Sequence, residues 1–334
     1  MRVSIIGAGS FGTALAQTIS SRTEQVSLFG RNVELLRSVN EHHINPSYHP
    51  FIKLNANITA FDLSRQAGKL KESDLIVFSI PSGVTRDVTR ALKDCLQGKM
   101  IVSTAKGIEC PSLSTMSEVI KDEAGDVRTA SFSGATFADE LILGAFSCAT
   151  LGLDQRADRE LIFTAFKAPN LVLDMSNDVQ GVELCGILKN VYAIATGIFD
   201  ATVTGNNAHY GFLSLCFKEM SHILAKITSD PNLAQKFCAH GDLHLTANVD
   251  KSRNRILGFI VGKLGITPKD IKSNVVLEGV NAARALKRKS ELAEVDTPLI
   301  SFVNACLDDP ARVRDYVKVL IQANSESMPR ADLP

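Results

Sequence analysis

The first half of the chain alternates short apolar runs with segments of helical spacing. The runs are Val3–Gly7, Val26–Gly30, Leu75–Ile80, Met100–Thr104, Thr129–Ser133 and Ser147–Leu151, and Leu171–Met175 closes the series. Several are unbroken apolar stretches, as strands covered on both faces require. Between them, Gly12–Ser20 and Val84–Leu96 carry apolar residues at helical spacing. Strand–helix alternation of this kind predicts a parallel, doubly wound sheet. From about Val179 the pattern changes. Val182–Ala195, Phe212–Ile227, Leu257–Leu264, Val280–Lys287 and Pro298–Cys306 read as helices with few strand signals, so the second half is predicted to be all-α. The tail Ala323–Pro334 is polar, holds two prolines, and is expected to fray.

The first strand runs straight into Gly7-Ala8-Gly9-Ser10-Phe11-Gly12, and Thr13-Ala14-Leu15-Ala16 opens a helix behind it. A bare G-x-G-x-x-G means little. Between a strand and a helix it is a dinucleotide fingerprint. Gly7 makes the tight turn, Gly9 lets a pyrophosphate approach the backbone, and Gly12 allows the helix to pack closely on the strand. Free N–H groups at the helix start suit phosphate. The alternative is a plain glycine-rich turn. The expectation is an α/β Rossmann-type doubly wound N-terminal domain, residues 1–178, with an all-α C-terminal domain, 179–334. At the end of the second strand stands Gly30-Arg31-Asn32. An NAD enzyme usually places Asp or Glu there for the ribose 2′-hydroxyl. Arg31 instead would attract a 2′-phosphate, which favours NADPH over NADH, unless it is simply a solvated surface arginine.

Composition narrows the function. A chain of 334 residues is long for one core, which agrees with two domains. Lys plus Arg equals Asp plus Glu, 36 each, so no basic surface is offered to nucleic acid or an anionic membrane. Phosphate binding must then be local. The Met1-Arg2-Val3-Ser4-Ile5 start reads as a strand rather than a signal peptide, no apolar run is expected to be long enough to span a bilayer, and a cytoplasmic protein without membrane insertion is expected. The seven cysteines are scattered, with no C-x-x-C pair, as in a reducing compartment.

In the second half, Gly181–Val191 is an apolar helix carrying one lysine, Lys189. Buried beside other cations, such a lysine would have a lowered pKa and could serve as an acid/base. It could equally snorkel from a core helix to solvent. Ser252-Arg253-Asn254 combines a forked cation with neutral donors, which suits a phosphate monoester. Asp242 could fix an ammonium group or a substrate hydroxyl. Cys238, His240, Asp242 and His244 are closely spaced but match no zinc pattern, and no metal is expected.

Taken together these segments resemble the NAD(P)-dependent glycerol-3-phosphate dehydrogenase family in its bacterial form, over nearly the whole chain and in order. Beyond the glycine turn, the resemblance runs through Pro81-Ser82, Ala105-Lys106-Gly107-Ile108-Glu109, Ser133-Gly134-Ala135-Thr136-Phe137-Ala138, Gly181–Val191, Gly241-Asp242-Leu243, Ser252-Arg253-Asn254-Arg255 and Glu278-Gly279-Val280. It implies interconversion of sn-glycerol 3-phosphate and dihydroxyacetone phosphate, feeding phospholipid synthesis, with Lys189 as general acid/base. Lys106 is implied to border both substrate and cofactor and to polarise the carbonyl. Gly134, Thr136, Asn190, Asp242 and Thr246 are implied on the substrate, and Ser252, Arg253 and Asn254 on its phosphate. Ser10, Phe11, Arg31, Ala138, Val276 and Glu278, with Arg253, are implied on the cofactor. A homodimer is expected.

The chain departs from the family's pattern at Ala135, where proline is usual, at Phe237-Cys238-Ala239-His240, where glycines are usual, at Asn206, and at Phe11. Two other readings compete. One is a related two-domain reductase of another small hydroxy acid, such as ketopantoate, which would not need Ser252-Arg253-Asn254. The other is a cofactor-binding sensor without turnover, against which Lys106, Lys189 and Asp242 speak.

Overall fold

The computed structural model describes residues 1–110, 112–154, 158–270 and 278–326. Val276 lies outside the described residues. In chain order the α/β part contains β1 (Arg2–Ile6), α1 (Ser10–Ser20), β2 (Gln25–Gly30), α2 (Val33–His42), β3 (Ile58–Asp62), α3 (Leu63–Gln66), β4 (Leu75–Phe78) and α4 (Thr85–Leu96). It continues with β5 (Met100–Ser103), α5 (Met116–Ala124), β6 (Arg128–Ala135), α6 (Ala138–Ile142), β7 (Ser147–Leu153), α7 (Arg159–Phe166) and β8 (Leu171–Ser176). The helical part contains α8 (Val179–Thr202), α9 (Asn206–Ile227), α10 (Asp242–Asn248), α11 (Arg253–Leu264), α12 (Glu278–Leu292), α13 (Pro298–Asp308) and α14 (Val313–Glu326).

The eight strands form one sheet in the order β3-β2-β1-β4-β5-β6-β7-β8. β4 and β5 lie inside the sheet and are buried at every position. β1 sends Ile5 into one apolar layer and Ile6 into the other, the period-two alternation of a strand covered on both faces. β3, which the apolar-run reading passed over, is an edge strand with alternating burial and no continuous apolar stretch. The sheet also differs from an all-parallel one at a single seam, because β7 runs antiparallel to β6. Only residues 136–146 link them, too few for the helical crossover that a parallel pair needs.

The chain divides into two compact units. The first is Met1–Ile187 with Leu224–Asp242, and the second is Leu188–Ile223 with the chain from Leu243 onward. The predicted helices of the second half are all present, and most extend beyond their apolar cores. Ala323–Glu326, expected to fray, form the last turn of α14. Contrary to the sequence expectation, one helix among the described residues, α8, is long and apolar enough to cross a membrane. Its apolar window is wholly buried, as in the core helix of a folded domain.

Within the second unit α8 and α11 touch backbone to backbone. A Cβ added to Gly258 would come within 2.1 Å of the Ile194 carbonyl oxygen, and one on Gly197 within 2.1 Å of the Arg255 oxygen. Gly262 faces the Ile198 oxygen at 2.8 Å by the same measure. Ile194 opposite Gly258 and Ile198 opposite Gly262 mean that the two helices run in the same sense at their contact.

Candidate active site

The glycine turn lies where β1 meets its two neighbours, β2 and β4, the point at which strand order reverses. Gly7 has φ +120°, and a Cβ there would overlap the Ser79 carbonyl oxygen at 2.1 Å. A Cβ on Gly12 would come within 2.0 Å of the Gly7 oxygen. Gly9 differs, because its Cβ would meet nothing within 4 Å. Gly7 and Gly12 are thus demanded by the protein itself, and Gly9 leaves open space over the start of α1. That helix has no acidic residue in its first turn and no side-chain cap at Gly9. Its N–H groups and partial positive charge suit a pyrophosphate, so the residues present fit a dinucleotide.

Ser10 is tied to His49, whose Nε2 lies 2.9 Å from the Ser10 carbonyl oxygen and 3.3 Å from its Oγ. His49 holds the turn and was not singled out from the sequence. Phe11 packs toward Phe132 at 6.2 Å between ring centroids. Arg31 is exposed directly after β2 and, among the described residues, has no hydrogen bond or ion pair. Asn32 beside it caps α2 by accepting from the Leu35 N–H. Ala138 opens α6.

The same sheet edge carries Lys106, in the loop after β5, and Gly134 with Thr136 at the end of β6. Lys106 Nζ donates to the Gly134 oxygen at 3.1 Å and to Asp242 Oδ2 at 2.5 Å. Asp242 is 2% exposed and Lys106 22%. Thr136 Oγ1 donates back to the Gly134 oxygen at 3.3 Å. Gly186 gives the lysine stem its seat, since a Cβ there would lie 3.2 Å from Lys106 Cγ and 2.9 Å from Ser133 Oγ. The loop is anchored at Glu109. Arg86 grips it in a bidentate pair at 2.7 and 2.8 Å and holds its carboxyl below the usual carboxylate range. Glu109 therefore positions the loop, a role its place in the Lys106–Glu109 run did not reveal.

In the second unit Lys189 is 7% exposed, and its Nζ donates to Thr246 Oγ1 at 2.8 Å. Asn190 and Thr246 are buried beside it in sequence and space. Lys189 therefore does not snorkel to solvent; its ammonium is held inside. Ser252 caps α11 through its Oγ, accepting from the Arg255 N–H at 3.3 Å. Arg253 and Asn254 occupy the first turn. The Asn254 side chain lies over Gly279, where a Cβ would approach Oδ1 within 2.3 Å. Glu278 precedes it in the first turn of α12.

Arg253 is exposed and unpaired among the described residues. A cation at the positive end of a helix dipole gains nothing from folding there, so its place calls for an anion from outside. Lys189 lies five residues before Ile194, and Arg253 five before Gly258, the two residues in contact. At the helical rise, both stand roughly 7.5 Å back along helices running in the same sense. The buried lysine and the Ser252–Asn254 turn thus lie toward the same end of the α8–α11 pair.

Two further carboxyls are buried without joining these groups. Glu183 accepts from the Ser117 N–H at 3.0 Å and the Ser117 hydroxyl at 2.5 Å, and burial pushes it up to about 7. Glu219 accepts from the Leu299 and Ile300 N–H groups at the start of α13, and burial likewise pushes it up to about 7. Among the described residues no three His, Cys, Asp or Glu side chains gather as a metal would need. Cys238 is packed against Cys185, whose thiol burial pushes up.

Residues 2–158 match the family described as NAD-dependent glycerol-3-phosphate dehydrogenase N-terminus, and residues 178–318 match its C-terminus. A glycerol-3-phosphate dehydrogenase (NAD(P)+) from Methanothermobacter thermautotrophicus is 42% identical over 318 residues, covering 95% of this chain and 97% of its own. One from Nitratidesulfovibrio vulgaris strain Hildenborough is 33% identical, covering 96% and 98%. The crystal structure of glycerol-3-phosphate dehydrogenase from Coxiella burnetii has the same fold, with a TM-score of 0.85 at 24% identity over 96% of this chain and 98% of that one. A ketopantoate reductase from Ralstonia eutropha is more distant in fold, with a TM-score of 0.59 at 13% identity over 95% of this chain and all of that one. With both halves matched in order and two full-length relatives above 30% identity, the chain belongs to the NAD-dependent glycerol-3-phosphate dehydrogenase family.

Proposed function

We propose that this protein is a glycerol-3-phosphate dehydrogenase that interconverts sn-glycerol 3-phosphate and dihydroxyacetone phosphate with NADPH or NADH. Its glycerol 3-phosphate serves phospholipid synthesis. The observation that carries the reading is the common end of the α8–α11 pair, toward which both a buried lysine and an unpaired arginine at a helix start lie. Such a pair suits a small molecule with a reactive hydroxyl at one end and a phosphate at the other.

In this reading Gly7, Gly9, Ser10, Phe11 and Gly12 hold the cofactor at the glycine turn, and Arg31, Lys106, Ala138, Arg253, Val276 and Glu278 are its further proposed contacts. When bound, the nicotinamide supplies a hydride to C2 of dihydroxyacetone phosphate, or takes one from glycerol 3-phosphate. Lys189 gives the proton to the C2 oxygen in reduction and removes it in oxidation, with Thr246 Oγ1 aiming its ammonium. Lys106, set by Asp242 and the Gly134 oxygen, stabilises negative charge growing on that oxygen. Asn190, Thr136 and Gly134 line the substrate. Ser252, Arg253 and Asn254 hold the phosphate, whose remote binding energy orients C2 for transfer. The exposed Arg31, with no carboxylate at the end of β2, supports a preference for NADPH. We further take 1–178 as the cofactor domain, 179–334 as the substrate domain, the protein as a homodimer, and the cytoplasm as its place.

The test is oxidation of NADPH, and of NADH in parallel, on adding dihydroxyacetone phosphate, with ketopantoate and dihydroxyacetone as controls. Turnover of the phosphorylated ketone is expected, with dihydroxyacetone turned over only slowly and ketopantoate not at all. Turnover of ketopantoate instead, or binding of NADPH with no turnover, overturns the reading.

A further inference from the structure

A chain of polar groups inside the helical unit takes no part in the reaction as proposed. Asp200 on α8 accepts from Arg255 Nη1 at 2.8 Å, and His209 Nδ1 on α9 lies 2.9 Å from both of its oxygens. His209 Nε2 lies 2.7 Å from Asn248 Oδ1 at the end of α10. The Asn248 amide is oriented by its Nδ2, which donates to the His244 oxygen at 2.7 Å. Asp200, His209 and Arg255 are each largely buried.

The ends of this chain are informative. Asn248 closes α10, which carries Thr246, the partner of the Lys189 ammonium. Arg255 stands in the first turn of α11, and its own N–H bonds the Ser252 cap. The glycine contacts fix how closely α11 approaches α8, but close backbone contact leaves sliding and rotation available. A largely buried set of polar links restricts that freedom, because a shift would part Asp200 from Arg255 and His209 and leave their desolvated groups without partners.

We infer that the Asn248–His209–Asp200–Arg255 chain is a positioning device, which holds the phosphate-binding turn Ser252–Asn254 in register with the Lys189–Thr246 pair. The inference rests on the phosphate role proposed for that turn. His209 and Asp200 touch neither substrate nor cofactor and act through α11.

The experiment replaces His209 with phenylalanine, which keeps a ring and removes both polar links. The KM for dihydroxyacetone phosphate is expected to rise about tenfold, the scale of a lost buried hydrogen bond to a charged group. NADPH affinity should stay unchanged, and kcat/KM for dihydroxyacetone, which has no phosphate, should stay within about twofold. In an Arg253→Ala background the effect of His209→Phe should shrink below about twofold, since the device would have nothing left to position. Asn248→Ala, at the exposed end of the chain, should act in the same direction and decides the matter if His209→Phe does not fold. Equal losses on both ketones, an unchanged KM, or a full effect without Arg253 would overturn the inference. If Arg253→Ala alone leaves the KM unchanged, the phosphate reading itself falls and takes this inference with it.

Discussion

Arg253→Ala separates binding from folding more cleanly than any other change to the proposed site. The side chain is exposed, opens α11, and has no hydrogen bond or ion pair among the described residues. Its removal should shift folding stability by no more than about 0.5 kcal/mol, as for a surface substitution away from special features. Taking a cation from the positive end of the helix dipole should, if anything, help slightly. In the complex, the guanidinium would make a charge-assisted contact to the phosphate, with a net contribution of about 2 kcal/mol. That corresponds to roughly a thirtyfold rise in KM for dihydroxyacetone phosphate. Steady-state NADPH oxidation gives the KM, and urea denaturation of the same preparation gives the stability. An unchanged KM removes Arg253 from the phosphate site. A KM rise matched by a stability loss of the same size shows that Arg253 is structural and does not hold the phosphate.

Other outcomes follow from the same geometry. Gly12→Ala should destabilise the protein strongly, because its Cβ would sit 2.0 Å from the Gly7 oxygen, whereas Gly9→Ala should fold normally and raise the cofactor KM. Thermal unfolding and cofactor titration of the two variants check this contrast. Arg31→Ala should weaken NADPH by about tenfold and leave NADH nearly unchanged, by loss of one charge-assisted contact, as read from parallel KM measurements. Glu183 and Glu219 are raised by burial from 4.5 to about 7, so the folded chain holds protons that the unfolded chain releases between those values. Their contribution is full below about pH 4.5, is lost as pH rises to about 7, and is flat above, with about 3 kcal/mol per carboxyl at stake. Urea titrations from pH 5 to 8 should show the decline, and a Glu183→Gln, Glu219→Gln variant should flatten it.

Much of the architecture was legible because long apolar runs and helical spacing survive in the sequence. β1, β4 and β5, buried on both faces, were the plainest. β3 was not seen because an edge strand with one open flank needs no apolar run. The antiparallel β6–β7 seam is set by the length of a link, which periodicity does not record. In the site, the glycine turn and the Ser252–Asn254 turn are local in sequence and could be read there. Lys189 remained ambiguous, since composition cannot tell a held ammonium from a snorkelling one; the bond to Thr246, 57 residues away, decides for the held one. His49, Arg86 and the Asp200–His209 pair act through partners distant in sequence, so no spacing rule announces them. Arg255 shows the limit most clearly. It continues the Ser252-Arg253-Asn254 run, yet its side chain turns inward to Asp200 while Arg253 stays open.

In the proposed reaction Lys189 moves the proton on the C2 oxygen. The most direct measurement mixes Lys189→Ala, already loaded with NADPH, with saturating dihydroxyacetone phosphate and follows a single turnover. NADPH should bind as it does to the unchanged protein, and hydride transfer should slow by about 10²–10⁴-fold, the usual share of a general acid/base. Transfer within a few-fold of the unchanged protein would contradict that role.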